Sequence, residues 1–176
     1  LTTGQYPEAK RFATELLDDY RYRYNAEALW LFHLAYEANG DATEATKMLQ
    51  VIMQFLNGQR GISDENTLVF IGRALLKAGA TDPKQVKENL YDRVLKSSPD
   101  NREALLAVGD LALAKRDFKL AGRTFTRAIG HYPEDTDLLY GLAKAYAESD
   151  PSQMEEPLHT AMFTNPDHIP SLLLQA

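Results

Sequence analysis

The stretch His131-Tyr-Pro-Glu-Asp-Thr-Asp137 crowds an imidazole and three carboxylates, those of Glu134, Asp135 and Asp137, into seven residues. Such groups could ligate a divalent metal or form an acid/base pair. The wider spacing argues against both. The remaining histidines are His33, His159 and His168, and no two of the four stand at the i, i+4 spacing of a helical metal motif. His33 falls on the packed side of a helical pattern and His159 toward the surface, while His131 and His168 flank turns. A metal site assembled from several turns is the alternative to plain turn chemistry. No Gly-x-Ser-x-Gly elbow or phosphate-cradling glycine loop is present. The pairs Asp18-Asp19 and Glu155-Glu156 read as solvated helix charges, because a catalytic carboxylate needs a cleft to shift its pKa. No cofactor, no metal and no enzymatic activity is expected.

The totals narrow the classes further. The chain has 176 residues, 44% of them hydrophobic and 25% charged, as in an ordinary globular protein. Its net charge is −6, and its one dense basic stretch, Arg21 to Tyr24, is short. No nucleic-acid partner is expected, since phosphate binding needs a cationic surface. No long uncharged apolar run is present, so no membrane span is expected. The absence of cysteine excludes disulfides, thiolate chemistry and cysteine-based zinc sites. The start at Leu1, without an initiator methionine, reads as a fragment or a processed chain.

What must position these residues is visible as a period. Pro99, Pro133 and Pro166 fall 34 and 33 residues apart, each followed by polar residues and then an apolar helical pattern. Within Arg102 to Asp135 the pattern splits into two helices. Leu105, Val108, Ala112 and Leu113 recur at helical spacing in the first, and Phe118, Ala121, Phe125, Ala128 and Ile129 in the second. Lys115-Arg116-Asp117 separates them. Gly109 and Ala121 are small where two helices must approach closely, and Pro133 ends the second helix.

This unit resembles the tetratricopeptide repeat, a helix–turn–helix of 34 residues. Gly109, Ala121, Phe125, Ala128 and Pro133 occupy the family's eighth, twentieth, twenty-fourth, twenty-seventh and thirty-second places. Leu105 stands where tryptophan is common, and Ala112 where an aromatic is. The same frame fits from Ala26 through Leu29, Phe32, Tyr36, Gly40, Ala45, Leu49 and Ile52, with His33 at the usual small place. It fits from Glu65 through Leu68, Gly72, Leu75, Tyr91, Val94 and Pro99, with one extra residue in the turn. It fits from Thr136 through Leu139, Ala143, Tyr146, Leu158, Ala161 and Pro166, with one residue fewer. The resemblance implies one array without a domain boundary: a partial repeat at 1–24, repeats at 26–57, 65–99, 102–135 and 136–168, and the start of another at 169–176. The expected fold is all-α, a right-handed superhelical solenoid of antiparallel helix pairs, about ten helices in number. Asp82-Pro83 and Asp150-Pro151 each predict a helix start with an Asp cap, a proline at the first position and a glutamine reaching back to the cap. The connection at 57–64 is the longest expected loop.

In this family, ligands bind the concave face made by the first helices. The matching fifth places are Trp30, Val69, Leu106 and Tyr140. The ninth are Leu34, Arg73, Asp110 and Lys144. Glu37, Leu76, Lys77 and Leu113 fill twelfth and thirteenth places, and Asp137 a second place. The resemblance thus implies a non-enzymatic scaffold for a protein or peptide in the groove, with Trp30 and Tyr140 as the aromatic anchors. Val69 and Leu106 are equally placed to serve packing. The lysine and asparagine that clamp a C-terminal carboxylate in some members are missing, with Trp30 and Leu34 in their places. The alternative function is a helical accessory or assembly region of a larger multidomain protein, an enzyme among the candidates, whose groove packs on a neighbouring domain; self-association through uncapped repeat ends is a further expectation. In register, the opening stretch becomes punctuation. Pro133 stops one repeat, Asp135 or Thr136 caps the next helix, and Asp137 suits the positive end of that helix.

Overall fold

A computed structural model of the chain describes residues 4–56 and 64–176, and the described residues contain helices and no strand. The expected long loop lies outside them except for Asp64. The chain divides into two compact units, one ending at Val94 and the other spanning Leu95–Ala176.

In the first unit, α1 (Tyr6–Leu16) packs on α3 (Ala26–Ala38), with the short α2 (Tyr20–Arg23) between them in the chain. The α3 helix pairs with α4 (Ala42–Gln54), and α5 (Glu65–Lys77) packs on both. Leu29, Phe32, Tyr36, Leu49 and Ile52 are buried among these helices, joined by Phe70, Ile71 and Ala74 from α5. The second helix of the next pair has three parts: α6 (Pro83–Val86), a π-helical turn (Lys87–Tyr91) and α7 (Asp92–Ser97).

This π-turn corrects the expectation of one extra residue in the turn. Nineteen positions separate Gly72 from the Tyr91 ring that lies over it, whereas sixteen separate Gly109 from Phe125. Two of the three extra residues lengthen the interhelical turn, which runs 78–82 here and 115–117 in the next pair. The third is absorbed by the π-turn, which holds one more residue than an α-turn. The insertion lets Tyr91 arrive over Gly72 in spite of the altered length.

In the second unit, α8 (Arg102–Ala114) pairs with α9 (Phe118–His131), and α10 (Thr136–Ser149) packs on both. A 3₁₀ turn (Pro151–Gln153), α11 (Glu155–Thr164) and α12 (Ile169–Gln175) follow. Phe125, Ala121 and Ala128 are 0% exposed at the core of this unit. Asp82 caps α6 as expected, accepting from the Lys84 N–H. Asp150 does something different. Its carboxylate accepts side-chain hydrogen bonds from Ser152 and Gln153, which hold its pKa below the usual aspartate value. The glutamine therefore reaches the cap's carboxylate rather than its backbone, and the α-helix begins later, at Glu155.

The turns within three pairs share one backbone device. Gly40, Gly79 and Arg116 all adopt a left-handed conformation, with φ of 79°, 64° and 59°. In each, the next residue's N–H reaches back to close the preceding helix: Asp41 to Tyr36, Ala80 to Leu75 and Asp117 to Ala112, each at 2.9 Å. This is the Schellman ending, whose left-handed residue is normally glycine. Arg116 holds that place against the clash between its Cβ and the backbone. Arg116→Gly is therefore expected to stabilise the chain by ~0.5–1 kcal/mol, and Gly40→Ala or Gly79→Ala to destabilise it by ~1 kcal/mol. Urea denaturation midpoints would check both signs.

Candidate functional site

The first helices start from side-chain caps that fix their register. Asn25 accepts from the Ala28 N–H at 2.8 Å, Asp64 from Thr67 at 2.7 Å and Asn101 from Ala104 at 2.9 Å. Asp135 accepts from both Asp137 and Leu138 N–H, each at 3.1 Å. Of the two candidate caps for α10, the structure uses Asp135. These caps hold the helices that carry the thirteen candidate groove residues.

On the first unit, Trp30 and Leu34 of α3 are half-buried, and Glu37 is exposed. On α5, Arg73 and Leu76 are half-buried and Lys77 is exposed, while Val69 is 0% exposed. Trp30 lies against the His33 ring, with centroids 5.2 Å apart. Glu37 and Lys77 join α3 to α5 through an ion pair at 2.8 Å. The Arg73 guanidinium stands over the Phe70 ring at 5.6 Å. This face therefore offers a tryptophan, two leucines and a neutralised charge pair, and Val69 is spent on packing.

On the second unit, Tyr140 and Leu113 are half-buried, Asp110 and Lys144 are exposed, and Leu106 is buried at 8%. Leu106 joins Val69 in packing. The Lys144 ammonium lies 5.9 Å from the Tyr140 ring centroid, and the His168 ring meets the same tyrosine edge-on at 5.6 Å. Tyr140 is thus held from two sides.

Asp137 is engaged within its own unit. Its Oδ2 accepts from Arg102 at 2.9 Å, and its Oδ1 lies 3.5 Å from His168 Nε2. Arg102 also donates to both oxygens of Asp135 and pairs with Glu103. Burial works against the guanidinium charge, but the Asp135 hydrogen bonds and the Glu103 charge outweigh it and raise the Arg102 pKa above its ordinary value. On its other edge, His168 Nδ1 lies 2.7 Å from Ser171 Oγ, while the buried Nε2 faces Asp137 without a hydrogen bond. A nitrogen facing a carboxylate is favoured as the N–H, which leaves Nδ1 to accept from the serine hydroxyl.

Serine, histidine and aspartate in contact are the parts of a hydrolytic triad. Here Ser171 is 0% exposed, so no substrate carbonyl reaches its Oγ. The group ties α8, α10 and α12 together as a polar staple. His168 is the residue for which the sequence carries no local signal: the carboxylate it faces, Asp137, lies on a helix 31 residues earlier. His131 is exposed at the end of α9, and His159 is exposed on α11. Among the described residues, no three His, Asp or Glu side chains converge as metal ligands. Among them also, no helix is long and apolar enough to cross a membrane. Phe163 and Leu173, on the last two helices, are 82% and 73% exposed.

No curated protein matches the sequence. A model of the tetratricopeptide repeat matches residues 88–135 and 109–150. Among solved structures, the chain is similar to YrrB, described as a TPR protein with an unusual peptide-binding site. That likeness has a TM-score of 0.55 and 18% identity, covering 97% of this chain and 84% of YrrB. It is also similar to the MamA RS-1 ArsTM double mutant, with a TM-score of 0.53 and 23% identity over 80% of this chain and 75% of that one. A further MamA mutant gives a TM-score of 0.54 at 18% identity, over 89% of this chain and 85% of that one. The matched repeats, the paired helices and the glycine-over-aromatic contacts agree: residues 88–150 match the tetratricopeptide repeat, and the chain shares its fold with solved proteins built of such repeats.

Proposed function

We propose that the chain is a scaffold that binds a peptide or protein segment along the first-helix faces of its units, without catalysing a reaction. The observation that carries this reading is the pair of half-buried aromatic anchors, Trp30 on α3 and Tyr140 on α10. Each is held by a histidine ring and keeps part of its face open. Rigid, partly exposed aromatics lose little conformational freedom when a partner covers them, and such residues dominate binding energy in interfaces. The exposed charges around them, Glu37 and Lys77 on one unit and Asp110 and Lys144 on the other, balance in sign. A neutral or mixed-charge segment suits such faces better than a polyanion. The peptide-binding site ascribed to YrrB is consistent with this reading.

A displayed library of random peptides panned against the chain tests it. Selected peptides should lose about 10-fold or more in affinity to Trp30→Ala or to Tyr140→Ala, as hot-spot truncations do. Equal affinity for the doubly substituted chain, with unchanged circular dichroism, would remove the groove assignment. Val69→Ala should change stability and not affinity.

A further inference from the structure

A cleft of about 480 Å³ lies in the first unit, lined by residues of α3, α4 and α5 that include His33, Glu37, Ala45, Leu49, Met53 and Lys77. Ala45, Leu49 and Met53 make one side apolar. The other carries three polar groups whose hydrogen-bonding roles the geometry fixes.

His33 is 2% exposed, and its Nδ1 lies 3.0 Å from the Ala45 carbonyl oxygen. A carbonyl only accepts, so Nδ1 bears the hydrogen and Nε2 of the neutral ring is an acceptor. That Nε2 is buried without a hydrogen-bond partner. The group nearest it in charge terms is Glu37, whose Oε2 lies 3.8 Å away and is another acceptor. Glu37 is in turn held by the Lys77 ammonium at 2.8 and 3.0 Å. Two adjacent acceptors and one donor therefore stand together, with no net charge.

We propose that this cleft receives the carboxamide of an asparagine or glutamine side chain from a bound peptide. A carboxamide offers two hydrogens on one nitrogen and an acceptor oxygen in the same plane. The 3.8 Å between Nε2 and Oε2 is too long for one hydrogen bond. It suits one amide nitrogen that donates to both. The amide oxygen then accepts from Lys77, and all three groups are satisfied. A carboxylate brings no hydrogen to Nε2 and meets Glu37 as a like charge. An ammonium meets Lys77 as a like charge. An apolar group leaves the buried acceptor unpaired, which is costly. Glu37 and Lys77 have side chains 46% and 42% exposed, so they can swing to admit the ligand to the ring edge beneath.

The inference deepens the groove reading, because Glu37 and Lys77 belong to the first-helix face, but its test needs no peptide partner. The chain labelled with ¹⁵N in its imidazoles is titrated with N-acetylglutamine methylamide, and separately with the glutamate and lysine analogues. The glutamine probe should shift the His33 Nε2 resonance and the Met53 methyl, with affinity ~10-fold or more above the other two. Lys77→Met should weaken it ~5-fold or more, and His33→Phe should abolish the preference while filling the core. Equal response to the three probes overturns the assignment. So does a glutamine probe that leaves His33 Nε2 unmoved, the result expected if a structural water already satisfies that atom. If the probe fails while selected peptides still depend on Trp30, the cleft assignment falls and the groove reading stands. If the probe binds and no peptide depends on Trp30 or Tyr140, the reverse holds.

Discussion

Gly141→Ala will destabilise the second unit by ~2 kcal/mol or more, although alanine is the better helix former by ~1 kcal/mol. The reason is a ring clamped between two bare backbones. Phe125 of α9 is 0% exposed. A Cβ added at Gly109 of α8 would stand 2.4 Å from the ring's Cζ, and one added at Gly141 of α10 would also stand 2.4 Å from it. The ring cannot retreat from one side without striking the other, so relaxation is blocked in both directions. Gly130 supplies the control. It lies in α9 with nothing within 4 Å of an added Cβ, so Gly130→Ala should be stabilising by ~0.5–1 kcal/mol. The opposite signs of the same chemical change, read from urea midpoints, separate packing from propensity. Adding Phe125→Leu to Gly141→Ala should recover part of the loss, since the smaller side chain vacates the clash and coupled neighbours are non-additive. If Gly141→Ala matches the parent chain, the clamp is looser than 2.4 Å implies.

That clamp shows what the sequence discloses and what it hides. Phe125 and Gly109 were legible because both sit at frame places of a repeat whose period is marked by prolines. Gly141 sits at no marked place, and its smallness is required only because α10 approaches the same ring from the far side. The π-turn at Lys87–Tyr91 was hidden for a different reason. One residue inserted into a helix leaves the apolar periodicity intact on either side, so the spacing points to one extra residue in the turn, where the structure has two, with a third in the π-turn. Among the candidate groove residues, helix and approximate face could be read from spacing. Burial could not: Val69 and Leu106 share the fifth place with Trp30 and Tyr140, yet they are covered and the aromatics remain partly open. The polar staple was the least legible part. Arg102, Asp137, His168 and Ser171 come from three helices, and nothing local distinguishes such residues from solvated turn chemistry.

Arg102→Met should cost ~2–3 kcal/mol at neutral pH, less than the ~3–5 kcal/mol typical of breaking a fully buried pair, because the Arg102 side chain is 30% exposed. The guanidinium stands among Glu103, Asp135 and Asp137 and donates to all three. Glu103 and Asp135 have side chains only 15% and 16% exposed, so water replaces it poorly. Removing it leaves the Asp135 cap of α10 beside two like charges and releases Asp137 from its hold. The loss should shrink in acid, since protonated, neutral carboxyl groups no longer repel one another. Arg102→Lys should retain only part of the stability, because a single ammonium cannot reach Asp135 in the bidentate manner of the guanidinium and also reach Asp137. Denaturation of the three chains at pH 7 and pH 3 gives the comparison. A Met variant as stable as the parent at pH 7, or a loss that does not change with pH, would show that the network contributes no net electrostatic stability. The same variants separate the two roles of Asp137. If freeing it from Arg102 strengthens binding of selected peptides while stability falls, Asp137 is a ligand contact held in reserve. If affinity is unchanged, it belongs to the staple.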